Sequence, residues 1–296
     1  MKYKEVVKAL APETMLVPVG SKVKLKDYDS TYTGKLKKSE AKELLAWGIE
    51  ELAKFQDMLY AQNIHALLII FQAMDAAGKD STIKHVMSGI NPQGCQVFNF
   101  KQPSAEDLDH DYLWRSFKGL PERGRIGIFN RSYYEEVLVV RVHPELLEKQ
   151  QLPPSAHNKS IWNQRFQEIN AFEKYLTNNG VHVLKFFLNL SKKEQKKRFL
   201  DRINRPEKNW KFSISDVQER AHWDHYMQAY EDAITHTSTS WAPWHIIPAD
   251  HKWFTRLAVA YFIEAKMRSL DLAYPKAEVG HQQHLQEAKI LLEQEV

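Results

Sequence analysis

The stretch HALLIIFQAMDAAGKDST, residues 65–82, decides the fold of this chain. Its beginning, 65–71, is a continuous apolar run of strand length, which is typical of a strand buried on both faces of a parallel sheet. The strand leads into a loop of small residues, then into the pair Gly78-Lys79 and a helix. This order of elements is typical of a phosphate-binding loop.

Simple physics makes such a loop a site for phosphoryl groups. Small residues let the backbone curl so that several N–H groups point inward, and the helix N-terminus and Lys79 add positive charge. The match to GxxxxGK[ST] is imperfect. Ala73 occupies the position of the first glycine and Asp80 that of the metal-binding hydroxyl, which Ser81 or Thr82 could supply instead. An ordinary strand-to-helix turn with an exposed lysine is the alternative interpretation.

Strands and helices alternate along the rest of the chain. The further predicted strands are 94–100, 125–130, 181–190 and 244–249. One predicted helix starts after a cap at Ser39. The later predicted helices are 105–117, 133–142, 158–179, Ser191 to Arg205, Ser215 to about His236, and 251–270. This alternation predicts an α/β fold with a five-stranded parallel sheet between helices. Ligands of such sheets bind beyond the carboxyl ends of the strands.

Length and composition fit one α/β domain with additions. The chain has 296 residues, 43% hydrophobic and 26% charged, which excludes collagen-like, fibrous and disordered proteins. Its single cysteine, Cys95, excludes an internal disulfide and a multi-cysteine zinc site. Because no apolar segment has the length of a signal peptide or a membrane span, we expect a cytoplasmic protein with no membrane partner.

Positive charge is concentrated in one segment. The net charge is +4, but residues 185–211 contain ten Lys or Arg against three Asp or Glu, a local charge of +7. Arg198, Arg202 and Arg205 are spaced to share a helix face, and a Pro-interrupted basic loop with Lys208 and Lys211 follows. This pattern favours a lid that closes over phosphate groups. A solvated helix face and a nucleic-acid surface are the alternatives, although no nucleic-acid-binding motif accompanies the segment.

Further charged residues are expected beside the loop. Asn130 ends the strand 125–130 and Arg131 follows it, so both emerge at the carboxyl edge of the sheet, where an arginine can hold a phosphate through two hydrogen bonds. Of Glu135 and Glu136, which come next, we expect one to face the cleft, and for Glu136 a solvated position is favoured. Asp75 lies inside the loop, where its carboxylate would repel phosphate unless a divalent cation stood between them. A turn-forming aspartate is an equally favoured interpretation of Asp75.

Five stretches, in this order, resemble the polyphosphate kinase 2 family. They are QAMDAAGKD (72–80), FKQPSAEDLDHDYLWR (100–115), IGIFNRSYYEEVLVVRVHPELL (126–147), RPEKNWKFSISD (205–216) and TSTSWAPWHIIPADHKWFTR (237–256). The resemblance implies a P-loop kinase fold, similar to thymidylate kinases, with a helical lid at about 198–217. The kinase domain would cover 39–272, after an N-terminal arm (1–38) and before a C-terminal helical tail (273–296).

The resemblance also implies an activity, namely reversible, magnesium-dependent transfer of the terminal phosphoryl group of inorganic polyphosphate to AMP and ADP. Mn²⁺ is an expected substitute for Mg²⁺. ATP and, as a further option, guanine nucleotides are expected partners, nucleic acid is not, and copies of the chain are expected to form a homo-oligomer. The transfer would be direct and in line, without a covalent enzyme intermediate. An ATP-dependent nucleoside-monophosphate kinase is the alternative enzyme, and a nucleic-acid-binding protein with a degenerate P-loop is the alternative binding protein.

Site residues follow from the resemblance by position. Those expected to be catalytic are Asp75, Lys79, Arg131, Arg198 and Arg202, with Asp75 also the metal ligand. Those expected to bind polyphosphate or nucleotide are Ala76, Ala77, Gly78, Asp80, Ser81, Thr82, Lys101, Arg115, Asn130, Glu135, Arg205, Lys208 and Lys211. Many members of the family have Asp where this chain has Asn130 and Asn where it has Glu135. This pattern is similar to that of the class III branch, which accepts both AMP and ADP, and it leaves any metal role of Asn130 in doubt.

Overall fold

One parallel sheet runs through the part of the chain that the structure, a computed structural model, describes: residues 3–156, 158, 160–276 and 279–295. Its strands are β1 (Ala66–Gln72), β2 (Cys95–Asn99), β3 (Ile126–Asn130), β4 (Val181–Asn189) and β5 (Trp244–Pro248). Their order is β2-β3-β1-β4-β5, so β1 is central. The α/β class and the five-stranded parallel sheet are confirmed, and each predicted strand is correct to within one residue at either end.

Burial explains why the strands could be recognised. Every residue of β1, β3 and β5 is buried, and helices cover both faces of the sheet. The edge strand β2 is more open, and its Val97 is largely exposed. A strand covered on both faces needs apolar side chains at successive positions, which is the signature seen in the sequence.

The helices surround the sheet. In chain order they are α1 (Tyr3–Leu10), α2 (Lys38–Gln62), α3 (Lys79–Val86), α4 (Ala105–Leu108), α5 (Trp114–Phe117), α6 (Val139–Val142), α7 (Glu145–Glu148), α8 (Ile161–Asn178), α9 (Lys192–Asn204), α10 (Ile214–Glu219), α11 (Trp223–Thr237), α12 (Lys252–Arg268) and α13 (Val279–Glu293). On one face α2, α3 and α12 pack in one apolar cluster. On the other face α8, α11 and the 3-10 turn Tyr133–Val137 pack in a second cluster.

Several predicted helices are interrupted. The prediction of one helix over 105–117 is wrong, because the Asp111 carboxylate accepts the N–H of Leu113 and starts a new turn between α4 and α5. The predicted helix 133–142 begins as a 3-10 turn. The predicted start at Ser215 is also wrong, since the Ser213 hydroxyl caps α10, and a 3-10 turn over Arg220–His222 separates α10 from α11.

Two other predicted caps change in detail. Helix α2 begins at Lys38 rather than after a Ser39 cap, and the Glu40 carboxylate accepts the N–H of Lys37. At α9 the Ser191 hydroxyl accepts the N–H of Glu194 as predicted. The N–H of Ser191, however, donates to Asp250 instead of completing the box with Glu194. Asp250 follows β5, so this bond fixes the start of α9 to the neighbouring strand.

The segment before α2 packs against β5. Met15 and Val17 are buried and exchange backbone hydrogen bonds with Ile246 and Trp244. Helix α13, in contrast, is exposed along its described length. The predicted arm and tail include residues 1–2, 277–278 and 296, and the predicted helix 158–179 includes 159, all of which lie outside the described residues. Within the described ranges, no helix combines the length and apolar character needed to cross a membrane.

Candidate active site

The predicted phosphate-binding loop lies at the carboxyl end of β1 and leads into α3. Two of its residues have positive φ, Ala76 at 62° and Gly78 at 105°. A Cβ at Gly78 would have room, since its nearest neighbour would be 3.8 Å away, so the backbone angle is the reason for glycine here. The curled loop ends at the N-terminus of α3, where the helix dipole favours an anion. The Gly78 carbonyl accepts the N–H of the buried Thr82, which begins the helix.

Lys79 is buried under this loop. The residue is 8% exposed, and its Nζ donates a 2.8 Å hydrogen bond to the carbonyl of Ala73. The alternative of an exposed lysine in an ordinary turn is therefore wrong. An ammonium group has three donors, and this bond uses one of them. Burial lowers the pKa of Lys79, and the charge of Arg131 lowers it further, against the opposing effect of nearby carboxylates.

Arg131 connects the end of β3 to the loop. Its φ of 64° is unusual for a side chain of this size, and its N–H donates to the carbonyl of Phe71 in β1. The guanidinium Nη2 donates to Asp75 Oδ1 at 2.8 Å, and Nη1 lies 3.4 Å from Glu135 Oε2. The two carboxylates raise the pKa of Arg131, Glu135 more than Asp75. Three residues predicted from the sequence thus meet beside Lys79.

Asn130 and Asp80 form a second pair across the same edge. Asn130 Nδ2 donates a 2.7 Å hydrogen bond to Asp80 Oδ1. Asp80 stands at the metal-binding position of the loop pattern, and Asn130 at the end of the third strand. The amide of Asn130 therefore orients the carboxylate of Asp80 at the start of α3.

Arg198 holds the loop from the other side. Its Nη1 donates to the carbonyls of Ala76 and Ala77, and its Nη2 to those of Ala249 and Asp250. Its Nε donates to Glu194 Oε1. These bonds occupy all five donors of the guanidinium. Arg198 therefore positions the loop between α9 and the end of β5, and a phosphate contact, which stays a prediction, would require one of these carbonyls to be displaced.

The remaining predicted lid residues lie on α9 and the 3-10 turn Pro206–Lys211, and most pair with acidic groups of the lid itself. Arg202 Nη1 lies 3.6 Å from Asp216 Oδ2. Lys208 Nζ lies 2.6 Å from Asp201 Oδ2, and Arg205 contacts Asp201 and Glu207. Lys211 stacks over the largely exposed ring of Trp210. Partly exposed pairs of this kind contribute little stability, so a polyanion can replace the acidic partners.

Four further residues border the site although sequence analysis did not select them. Gln195 Nε2 donates to the carbonyl of Asp75. Asp216 pairs with Arg202 of the lid, and burial, together with the charge of Asp75, raises its pKa. Burial raises the pKa values of Tyr226 and Tyr230 most; Glu219, to which the Tyr226 hydroxyl donates, adds to the shift of Tyr226, and Glu135 and Asp75 contribute to both. Tyr226 and Tyr230 are four residues apart on α11, and this shared helix face is the signal that could have identified them.

A cavity of about 310 Å³ lies beyond β2 and β3. Its polar lining includes Tyr112, Arg115, Glu136, Gln150, Arg165 and Glu168. Arg115 Nη1 donates to the carbonyl of Lys101, whose side chain is exposed. The Tyr112 hydroxyl donates to Glu168 Oε2 at 2.9 Å. Arg115 thus faces a pocket with both apolar walls and hydrogen-bonding groups, and the volume falls in the range of small-molecule sites.

The favoured solvated position of Glu136 is wrong. Glu136 is 2% exposed, and its carboxylate accepts a hydrogen bond from Gln150 and lies 3.6 Å from Arg165 and 3.5 Å from Arg115. Burial raises its pKa, and these partners oppose the effect. Glu135 faces Arg131 instead, so Glu136 lines the cavity and Glu135 lines the phosphate-binding loop.

The side chains at the loop fit a magnesium ion. Mg²⁺ prefers carboxylate oxygens and commonly takes one or two from protein, with waters and substrate phosphates as its other ligands. Asp75 and Asp80 are the carboxylates at the loop. Within the described ranges, no group of three or more His, Cys, Asp or Glu side chains could hold a metal by itself. Phosphate oxygens would therefore have to complete the coordination, and Asp75 as a ligand stays a prediction.

Comparison with known proteins agrees with the resemblance seen in the sequence. A family model described as polyphosphate kinase 2 matches residues 35–274. The chain is 55% identical over 244 residues to a Rhodopseudomonas palustris protein named ADP-polyphosphate phosphotransferase, covering 82% of this chain and 84% of that protein. It is 42% identical over 254 residues to a Meiothermus ruber protein named AMP/ADP-polyphosphate phosphotransferase, covering 86% and 91%.

Solved structures give the same picture. The crystal structure of polyphosphate kinase 2 from Arthrobacter aurescens superimposes with a TM-score of 0.85 at 39% sequence identity. The match covers 94% of this chain and 96% of that one. The similarity therefore includes the sheet, the loop and the lid rather than an isolated motif.

Proposed function

The chain belongs to the polyphosphate kinase 2 family and transfers phosphoryl groups between polyphosphate and nucleotides, and we propose that it accepts both AMP and ADP and requires Mg²⁺. One observation carries the proposal: Lys79 and Arg131 meet at the carboxyl edge of the sheet, between a basic lid and a separate cavity. Such an edge is the usual place for ligands in α/β sheets.

The donor side is the side of the lid. Polyphosphate is a flexible polyanion, and a nucleotide brings further negative charge to the same place. Two unit charges 4 Å apart repel by about 1 kcal/mol in water and about 4 kcal/mol at an effective dielectric constant of 20. Arg202, Lys208 and Lys211 lie on the segment of the chain with a local charge of +7. We therefore assign this side, next to β4, to polyphosphate.

The acceptor side is the cavity beyond β2 and β3. Its apolar walls and hydrogen-bonding groups suit a nucleoside. Glu136 belongs to its lining, and the preceding residue, Glu135, contacts Arg131. A nucleotide in this position would direct its phosphates toward Arg131. Lys101 and Arg115 are further cations at the rim for these phosphates.

The reaction then needs positioning and charge compensation rather than proton transfer. A terminal phosphate of AMP or ADP is anionic at neutral pH, so no general base is required. Lys79 and Arg131 would hold the phosphoryl group and the attacking oxygen in line and stabilise the charge of the transition state. A magnesium ion at this site would supply positive charge that neutralises part of the charge on the phosphates. Asp75, and Asp80 oriented by Asn130, would hold it.

Acceptance of both nucleotides is the finer part of the proposal. The Meiothermus ruber relative is named for AMP and ADP, whereas the Rhodopseudomonas palustris relative is named for ADP alone. Asn130 and Glu135 follow the pattern that resembles the class III branch. Guanine nucleotides as substrates, a homo-oligomeric state and a cytoplasmic location are proposals that rest on the same resemblance.

An ATP-dependent nucleoside-monophosphate kinase finds no support. That activity needs a second nucleoside pocket on the donor side, where this chain presents the lid cations. None of the relatives described above is named for it.

The test offers ADP and AMP separately to the purified protein, with long-chain polyphosphate and Mg²⁺. We expect ADP and then ATP from AMP, ATP from ADP, and neither product when the metal is chelated. ATP from ADP but no product from AMP would restrict the acceptor to ADP. Full turnover in chelator would remove the metal from the proposal.

A further inference from the structure

Helix α12 presents two cations to the phosphate-binding loop that the proposed site does not yet use. The helix starts just after β5, at the same edge of the sheet as the loop. Lys252 and Arg256 stand in its first two turns, four residues apart, and therefore share a face. This face is turned toward α3, because Arg256 contacts Ser81 in the first turn of that helix.

Arg256 reaches the first turn of α3. Its Nη2 donates a 2.8 Å hydrogen bond to Ser81 Oγ, two residues after Lys79. Its Nε is buried and has no acceptor within the described part of the chain. Burial is the one cause that lowers the pKa of Arg256, and no carboxylate raises it. A buried donor without a partner is costly, so this guanidinium is suited to an anion that arrives from outside.

Lys252 is exposed, and nearby carboxylates compensate its positive charge only in part. Burial of part of its side chain lowers its pKa, and the positive charges of Arg198 and Lys208 lower it further, more than Asp201 and Glu194 raise it. Like charges therefore crowd at the junction of α9 and α12. Crowding of this kind favours binding of an anion that contacts several of the cations at once.

The lid cations differ from this pair in their partners. Arg202 and Lys208 each have a carboxylate of the lid within 4.0 Å. Arg256 has Ser81, a neutral partner, and its charge is not balanced by any carboxylate among the residues described. The α12 pair is thus available to an anion without the loss of an existing ion pair.

We propose that Lys252 and Arg256 bind phosphates of the polyphosphate donor that lie behind the transferred phosphate. The bound polyphosphate then runs from the loop past Ser81 to α12. The inference rests on the proposed function, since it assigns a path to the donor of that reaction. The ligand class is a linear polyanion rather than a second nucleotide, because the nucleoside cavity lies on the opposite side of β1. Tripolyphosphate has only two phosphates behind the one transferred and therefore offers fewer contacts to α12 than a long chain does.

The test compares Lys252→Gln, Arg256→Gln and the double variant with Lys193→Gln, which removes one charge from an exposed position of α9. KM is measured for long-chain polyphosphate, for tripolyphosphate and for ADP. Direct binding of long-chain polyphosphate without nucleotide is measured at several salt concentrations. Arg256→Lys retains the charge, and thermal unfolding of every variant reports whether the fold is intact.

We expect Lys252→Gln and Arg256→Gln each to raise KM and Kd for long-chain polyphosphate about three- to tenfold, as the loss of one typical hydrogen bond does, and the control Lys193→Gln to change them less. The salt dependence of binding should weaken by about one released ion per cation. KM for ADP should change less than twofold, tripolyphosphate should be less affected, and Arg256→Lys should keep most of the affinity.

Unchanged polyphosphate binding in the double variant would overturn the inference while wild-type turnover keeps the proposed function. An equal loss of polyphosphate affinity in Lys193→Gln would mean that only the net charge matters, and it would also overturn the inference. An equal rise in KM for ADP would place the pair on the acceptor side. If the wild type makes no nucleotide product from polyphosphate, the proposed function fails, and the binding measurement still decides the role of α12.

Discussion

Two buried lysines, one in the phosphate-binding loop and one in the polar core beneath it, differ in how completely their charges are satisfied. Lys185 in β4 is fully buried, and its Nζ donates to Glu173 at 2.6 Å, to the Tyr134 hydroxyl and to the carbonyl of Thr237. Lys79 has one protein acceptor, the carbonyl of Ala73. Burial lowers the pKa of both.

The difference separates a structural charge from a functional one. All three donors of Lys185 are occupied, and the Glu173 carboxylate also accepts the hydroxyls of Tyr133 and Tyr134. Tyr133 and Tyr134 directly follow the turn that carries Arg131, so this network fixes the site from below. Lys79 retains donors that substrate phosphates can take. A complete set of partners indicates a role in the fold, and an incomplete set at a ligand site indicates a role in binding.

The sharpest test of this comparison is Lys79→Met. We expect it to lower kcat/KM for phosphoryl transfer by about a thousandfold or more, as the loss of a preorganised transition-state contact does. The free energy of unfolding should stay the same or rise, because an incompletely paired buried charge is removed. Steady-state kinetics and urea unfolding measure the two effects. Retained turnover would exclude Lys79 from the reaction.

Lys185→Met should show the opposite pattern. Removing one member of a buried ion pair leaves Glu173 uncompensated and should lower the free energy of unfolding by about 3–5 kcal/mol. The double variant Lys185→Met with Glu173→Leu should recover part of this loss, since no buried charge remains. Urea unfolding with a common m-value checks both. A single variant as stable as the wild type would contradict the structural role.

The polar core also predicts loss of stability in acid. Burial, and the nearby charge of Lys185, lower the pKa of His245 to about 4. Between pH 6.5 and 4 the unfolded chain binds a proton at His245 that the folded chain does not, so acidification destabilises the fold. The full effect is on the order of 3 kcal/mol.

His245→Gln is the matched variant, because its amide can still donate to the carbonyl of Lys185, as His245 Nδ1 does. Urea unfolding at pH 7 and pH 4.5 should show a smaller acid loss for the variant than for the wild type. An identical acid loss in both proteins would mean that His245 does not titrate in this way.

Arg202→Ala has the smallest expected effect, and it extends the comparison from the two buried lysines to a partly exposed ion pair of the lid. Arg202 pairs with Asp216 at 3.6 Å on the lid, so its loss should leave stability within about 1 kcal/mol of the wild type. KM for polyphosphate should rise about tenfold through the lost charged contact, with less change for nucleotide. Equal losses for both substrates in steady-state assays would argue against a lid that serves the donor.

Much of the fold could be predicted because its signals are local. The strands 66–72, 126–130 and 244–248 are runs of mostly apolar side chains buried on both faces, whereas the edge strand β2 is more open. The errors lie where polar side chains act over a distance or within one turn. The sequence favours a solvated position for Glu136 because its sequence neighbours include charged residues. Its partners Arg165 and Gln150, which make burial possible, lie 29 and 14 residues further along the chain. Asp111 breaks a helix through a single hydrogen bond.

The site shows the same division. The loop, Arg131 and the lid cations could be predicted because their residue types and spacing are typical of phosphate-binding sites. The sequence also indicates the charge of Arg198, but the carbonyls of Ala76 and Ala77 that occupy its donors lie more than 120 residues away. Tyr226 and Tyr230 resemble ordinary core aromatics until the packing of α11 places them against the site.

The most direct measurement of the central claim follows both substrates at once in the wild type and in Lys79→Met. Purified protein is mixed with Mg²⁺, AMP and long-chain polyphosphate, and quenched samples are assayed for polyphosphate phosphate, AMP, ADP and ATP. We predict that the wild type consumes one polyphosphate phosphate for each phosphoryl group gained by nucleotide, and that Lys79→Met does neither. Intact polyphosphate and no nucleotide product with the wild type, together with ADP formation from AMP in a parallel mixture that contains ATP instead of polyphosphate, would contradict the account.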